Sequence, residues 1–284
     1  MTTPSTGTPT VGRIGFWRSG PLLSPEMAAA VERLGYGAVW IGGSPDADLA
    51  VAKRLLDATE HLTVATGIVN IWKSPAAEVA ASVHRIERSH PGRFLLGVGI
   101  GHRESLGGQY QRPYDALVSY LDALDEAGVP AQRRVISALG PRTLKLAAHR
   151  SAGTHPYMTT PEHTRFARDV VGRESLVAPE QRLILNSDDA AALETARTFL
   201  SRYLSLSNYR RTLERHGFTA ADLDDGATNE SVDALVPHGT PAHLAAAVRG
   251  HLDAGADHVA VQILPARQDP LAALQALAGE LNLG

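Results

Sequence analysis

The stretch FLLGVGIGHRESLGG, residues 94–108, ends an apolar run in Gly97, Gly99 and Gly101 and follows it at once with His102, Arg103 and Glu104. Glycines let backbone approach a ligand closely, an imidazole or a carboxylate can exchange a proton, and an arginine can hold an anion. The spacing G-x-G-x-G-x-x-E resembles a dinucleotide loop but lacks the third glycine of that fingerprint at its place. No strand ending in Asp or Glu follows about 20 residues later to hold a ribose. A pyrophosphate turn is therefore a poor reading. Two others remain: packing glycines at a crowded strand end, or a face offered to a flatter ligand.

The elements that must position these residues alternate. Short β-branched or apolar runs occur at 13–17, 38–42, 63–72, 94–99, 133–139, 154–158, 182–186 and 258–264. Segments of helical spacing separate them. Two of these start with Ser-Pro, at Ser24 and Ser74, which predicts a serine N-cap and a proline in the first turn; another starts at Gly140. Strict alternation implies a parallel sheet, and eight such units in this length fit a closed (β/α)8 TIM barrel better than an open doubly wound sheet. The period breaks once. From residue 187 to 257 the chain reads as almost wholly helical, which predicts an elaborated helical segment between strands seven and eight. The polar, uncharged start predicts a disordered tail over 1–10, followed by a single domain over 11–284.

In such a barrel the chemistry sits at the C-terminal ends of the strands. Those ends carry Trp17 and Arg18; Trp40, Gly42 and Gly43; Gly67, Ile68, Asn70 and Trp72; Gly99, Gly101 and His102; Ala138 and Gly140; His155 and Tyr157; Asn186; and Gln262. Carboxylates are nearly absent from these positions, which disfavours hard-cation sites and paired-carboxylate glycosidases, and no metal is expected. Of three lysines only Lys73 lies near a strand end, which disfavours Schiff-base chemistry. The absence of cysteine excludes thiolate sites. What remains is a bowl of glycines, tryptophans and amides suited to a flat, largely apolar ring, and so to a flavin-like cofactor. Trp40, inside a continuous apolar strand, reads as core. A net charge of −3 with interleaved signs argues against nucleic acid as a partner. No apolar run approaches the roughly 20 residues that cross a bilayer, so a cytoplasmic protein is expected.

Several pieces in consistent order resemble the luciferase-like monooxygenase superfamily, and within it the actinobacterial coenzyme F420-dependent oxidoreductases: LGYGAVWIGGSP (34–45), VATGIVNIWKSP (64–75), GRFLLGVGIGH (92–102), ALGPRTLKLAAHRSAGTHPYMTTPEHT (138–164) and GTPAHLAAAVRGHLDAGADHVAVQIL (239–264). The resemblance implies a TIM barrel that binds a deazaflavin or flavin at its strand ends. It implies a non-proline cis peptide in strand three, most naturally Gly67-Ile68. It makes Gly99, Ile100, Gly101 and His102 the segment along the ring, and Ala138, Leu139, Gly140 and Pro141 a backbone cradle, with Arg142 and Arg103 beside an anionic tail. His155 and Tyr157 match a motif of the F420-dependent branch. At the end of strand two, where relatives carry the acid or base, this chain reads Gly42-Gly43-Ser44, which leaves His102, His155 and Glu104 as candidate proton donors.

The resemblance thus implies an F420-dependent oxidoreductase moving a hydride between the deazaflavin and a small organic substrate, working as a homodimer through its second and third helices. Two alternatives stand beside it: an FMN-dependent monooxygenase of the same fold, and a non-catalytic F420- or flavin-binding protein.

Overall fold

In a computed structural model, which describes residues 7–101 and 112–284, the apolar runs become parallel strands and the segments between them helices. The strands are β1 (Ile14–Ser19), β2 (Ala38–Gly42), β3 (Thr63–Gly67), β4 (Val69–Asn70), β5 (Phe94–Gly99), β6 (Arg134–Ile136), β7 (Gly153–Thr154), β8 (Leu176–Val177), β9 (Glu180–Leu185), β10 (His238–Gly239) and β11 (Val259–Ile263). The helices are α1 (Pro25–Arg33), α2 (Ala50–Asp57), α3 (Ala76–Ser89), α4 (Pro113–Glu126), α5 (Pro141–Arg150), α6 (Pro161–Val171), α7 (Asp189–Leu204), α8 (Ser207–Arg215), α9 (Ala220–Leu223), α10 (Asn229–Leu235), α11 (Pro241–Asp253) and α12 (Leu271–Leu281).

Closure depends on one split strand. β8 pairs with β7 while β9 pairs with β11, and the residues between them keep both ladders going. The Ala178 amide donates to the Thr154 carbonyl at 2.9 Å, and the Ala260 amide to the Pro179 carbonyl at 2.9 Å. β8 and β9 are thus one barrel strand, and the order β1-β2-β3-β5-β6-β7-β8/β9-β11 returns to β1 as an eight-stranded barrel. β4 continues strand three beyond the Gly67-Ile68 bond, which is cis as expected.

Alternation divides the side chains between two cores. Phe16, Val39, Ile41, Val64, Leu96 and Val98 face out into the helical ring. Trp17, Trp40, Ala65, Leu95, Val135, Ala178 and Ala260 face in. Trp40, fully buried as its strand pattern predicts, fits because its inward neighbours are small and because His258 Nε2 accepts its indole N–H at 2.9 Å.

The first Ser-Pro start behaves as expected: the Ser24 hydroxyl accepts from the Met27 amide at 3.2 Å. The second does not. Lys73 and Ser74 donate their amides to the Asn70 carbonyl, the Ser74 carbonyl is taken by the Tyr120 hydroxyl at 2.9 Å, and α3 begins only at Ala76 with Pro75 as its cap. The turn closing strand three wins over the capping motif.

Strand seven also starts earlier than the run 182–186 suggests, since Glu180 and Gln181 lie inside β9 and β8 precedes it. The predicted insertion is α7–α10, which builds its own core from Ala196, Leu200, Leu213, Val232 and Leu235 and docks it on Met158 and Ile184 of the barrel. Among the described residues no helix is long and apolar enough to cross a membrane, and no group of three or more His, Asp or Glu could hold a metal.

Candidate functional site

Trp17 makes the floor of the barrel mouth. A Cβ on Gly42 would lie 2.0 Å from its indole Cζ2, and one on Gly67 would lie 2.6 Å from its Nε1. Both glycines are therefore required by the indole lying across them. The same imagined Cβ on Gly67 lies 2.9 Å from His155 Nε2, so Trp17 and His155 meet at the cis bond of strand three. Below them the His155 ring stacks on Trp40 with centroids 4.0 Å apart.

The proton on His155 can be assigned from its partners. Nδ1 lies 2.6 Å from the Ala178 carbonyl, an acceptor, so Nδ1 carries the hydrogen and Nε2 a lone pair. Burial pushes this imidazole down to about 3. His155 is thus neutral near pH 7 and offers only an acceptor, which tells against the acid role the sequence allows it. His102, Arg103 and Glu104 lie outside the described residues.

Around the floor, Ile68 packs against Gly99, and Gly101, with φ +69, lies against the Asn70 side-chain amide. Asn70 Oδ1 accepts the Trp72 amide at 2.9 Å, which fixes the turn that carries the Trp72 indole. Trp72 Nε1 is buried and has no partner among the described residues. Ile100 is half-buried against the outer core, and Gly43, with φ +82, sits beside Ser19. Of these sequence-predicted residues, contacts bring Gly42, Gly67, Trp17, His155 and Tyr157 together, while Ile100 packs on the outer core.

A second group lies at the end of strand five. Ala138 is buried, and the Leu139 carbonyl accepts from His163 Nε2 at 2.9 Å, which ties the strand end to the first turn of α6. Gly140, which has no side chain to cap with, precedes α5, Pro141 opens it, and among the described residues no side chain bonds its first-turn amides. A Cβ on Gly140 would meet no described atom within 4 Å, so the space beside this glycine is open among the described residues. Arg142 is exposed there, with its guanidinium carbon 3.6 Å from the centre of the Tyr114 ring.

On the opposite side, Tyr157 joins barrel and insertion. Its hydroxyl lies 3.0 Å from Gln262 Oε1 and 3.2 Å from the Tyr203 hydroxyl, and its ring is tilted against Trp17 at 5.4 Å. Burial, then Glu180 and Tyr203, hold this phenol well above its ordinary range, so it stays protonated. Beneath it Glu180 and Arg182 form an ion pair of 2.8 Å with both side chains fully buried. The sequence places Arg182 at the start of the run 182–186 and leaves Glu180 outside it, and because only strand ends are read for chemistry neither side chain is singled out. Their i, i+2 spacing, which puts both on the inward face, is the signal that finds them. Tyr203 and Tyr209 carried no signal, since only folding brings the insertion over the mouth.

The mouth thus offers an aromatic floor with the buried His155 imidazole beneath it, a protonated phenol and the N-terminus of α5. Residues 24–258 match a family model described as luciferase-like monooxygenase. Among solved structures the fold is similar to that of an F420-dependent secondary alcohol dehydrogenase in complex with an F420–acetone adduct, at 14% identity and TM-score 0.74, covering 96% of this chain and 98% of that one. It is also similar to F420-dependent tetrahydromethanopterin reductase from Methanopyrus kandleri, at 16% identity and TM-score 0.74, covering 95% and 99%. A third is the oxygenating constituent of 3,6-diketocamphane monooxygenase of Pseudomonas putida in complex with FMN, at 13% identity and TM-score 0.70, covering 95% and 98%. At such identities these likenesses speak for the fold. No curated protein matches the chain.

Proposed function

Because the chain belongs to the luciferase-like monooxygenase family, we propose that it is an oxidoreductase that binds coenzyme F420 at the barrel mouth and acts on a small organic substrate. When bound, the deazaflavin supplies the carbon that gives or takes a hydride. The observation that carries the reading is the N-terminus of α5, uncapped and open beside Gly140 among the described residues, with the Arg142 guanidinium next to it. Free first-turn amides and the helix dipole favour an anion there, as a phosphate-bearing cofactor tail requires. The Trp72 N–H, which has no partner among the described residues, fits the same kind of ligand, one that brings its own acceptors.

The chain's own residues bind, orient and manage protons. Trp17 closes the barrel from below and keeps water out of its interior. Tyr157, protonated and held by Gln262 and Tyr203, donates a hydrogen bond across the mouth. His155 receives one at most. Proton exchange with the substrate falls to His102 or Glu104, as the sequence suggests. The homodimer expected through α2 and α3 belongs to this proposal, as does a cytoplasmic location; Ala77 and Ala81 on the exposed side of α3 leave room for close packing.

The test is a titration of the purified protein with F420 and with FMN, followed by fluorescence quenching. Saturable F420 quenching is expected. Binding of FMN alone, with oxygen consumption when the flavin is reduced, would overturn it in favour of a monooxygenase. F420 binding with no turnover over a broad substrate panel would leave a binding protein. A variant sharpens the test. Gly140→Ala places a methyl group in open space at an extended φ of −95°, so stability should change by less than about 0.5 kcal/mol. Affinity for the cofactor should fall about tenfold, equivalent to about 1.4 kcal/mol. Unchanged affinity in that variant would move the anionic tail away from α5.

A further inference from the structure

Glu180 and Arg182 are an expensive choice for a barrel interior. At the neighbouring inward positions stand Ala178, Ala260 and Leu95, while these two side chains are charged and 0% exposed. Replacing a buried ion pair with well-packed apolar residues is often neutral or stabilising, so stability alone gives no reason for it. What the pair touches does. Arg182 Nη2 donates to Glu180 Oε2 at 2.8 Å, Nη1 meets the Met158 sulfur, and the Met158 amide donates to the same Glu180 oxygen at 3.5 Å. Met158 is fully buried with φ +64, a left-handed turn that a long side chain adopts only when its surroundings hold it. The residue before that turn is Tyr157, and the Arg182 guanidinium carbon lies 5.3 Å from the centre of its ring.

We propose that Glu180 and Arg182 are a positioning pair for Tyr157, clamping the Met158 turn from below, holding the phenol aimed into the mouth and, in the alkaline range where that phenol could ionise, presenting no net charge to it. The groups facing the phenol are Glu180 and Arg182 from β9, Tyr203 from α7, Tyr209 from α8, Gln262 from β11 and Trp17 from β1. Of these only the pair carries charge when the tyrosines are protonated. An arginine alone would pull a tyrosinate into existence; a carboxylate alone would oppose it. Together they leave burial as the main influence and hold the hydroxyl where it donates to Gln262 Oε1 and lies 3.2 Å from the Tyr203 hydroxyl. The role of Tyr157 toward a bound ligand rests on the functional reading above, but its mounting can be tested without any ligand.

The experiment is an alkaline titration of the cofactor-free protein, following tyrosinate absorbance, with Tyr157→Phe to identify the step that belongs to Tyr157. In Glu180→Gln the remaining guanidinium should lower that midpoint by at least one pH unit, a tenfold larger ionisation constant. In Arg182→Gln the remaining carboxylate should raise it. Glu180→Gln/Arg182→Gln, which leaves no unpaired charge and should fold even where Glu180→Gln does not, should return the midpoint to near the wild-type value. If Glu180→Gln fails to fold, the Arg182→Gln midpoint must still lie above that of the double variant. Equal midpoints throughout would overturn the proposal. The clamp has its own readout: the double variant, melting within a few degrees of wild type, should bind F420 about tenfold more weakly, and undiminished binding would also overturn it. Failure of the wild-type protein to bind F420 would count against the functional reading only, because the tyrosinate titration stands without it.

Discussion

Lowering the pH from 7 to 5 is expected to remove a large part of the stability of this protein, because four imidazoles are buried as neutral groups. His155, His163, His251 and His258 are each at most 1% exposed. His258 receives the Trp40 N–H and faces the Gly12 carbonyl with Nδ1 at 2.8 Å; His251 faces Gln181 Oε1 at 2.7 Å and the Thr164 hydroxyl at 2.8 Å. In each ring one nitrogen must donate, so the neutral tautomer is fixed by its partners. Burial pushes His155 and His251 down to about 3 and His163 and His258 to about 4.

An unfolded chain takes up these protons near pH 6.5, while the folded one does not until about pH 3–4. The unfolded state therefore binds more protons over that window, and stability falls as the pH falls through it. At pH 5 each histidine accounts for about 2 kcal/mol, against the roughly 5–15 kcal/mol that a whole domain has. Glu180 works the other way. Burial raises its pKa to about 7, so its contribution is present at low pH and fades as the pH rises, which offsets about one whole histidine's effect between pH 7 and 5. Urea midpoints measured from pH 7.5 to 4.5 check this. The prediction is a steady loss below pH 6.5, less steep by about one proton in His251→Asn; a flat profile between pH 7 and 5 would contradict it.

The barrel was legible because each unit repeats a local signal: an apolar run, a stop, an amphipathic segment. Even the split of strand seven into β8 and β9 leaves that alternation intact. Strand seven was read short for a specific reason. Glu180, an inward residue just before the run, is charged, and only a buried partner, 2.8 Å away on the same strand, makes charge compatible with a barrel interior. The cis bond at Gly67-Ile68 followed from resemblance; no composition rule points to it. The mouth glycines divide in a way that composition cannot show. Gly42 and Gly67 are occupied by an indole from another strand, whereas Gly140 faces open space. Sequence marks all of them alike as positions without a side chain. What fills the missing volume is a property of the fold.

That division makes Gly42 the most informative glycine to change. β1 and β2 are in register, with Trp17 opposite Trp40 and Ser19 opposite Gly42, so the inward side chains of the two strands share one layer. In Gly42→Ala the new methyl group would stand 2.0 Å from Cζ2 and 2.2 Å from Cη2 of Trp17, too close for any small adjustment. The indole cannot sink, because His155 and Trp40 fill the space below it. It must tilt up into the mouth or push the strands apart. Overpacking of this kind costs about 1–3 kcal/mol, and here it should also displace Tyr157, whose ring packs on Trp17 at 5.4 Å. Trp17→Phe in the same chain removes the outer ring that the methyl group meets, so Gly42→Ala should cost much less in that background. A double-mutant cycle on thermal or urea unfolding is expected to give a coupling of at least about 1 kcal/mol, the size seen for side chains in direct contact. If the two changes simply add, the indole does not rest on Gly42, and the floor of the mouth is built otherwise.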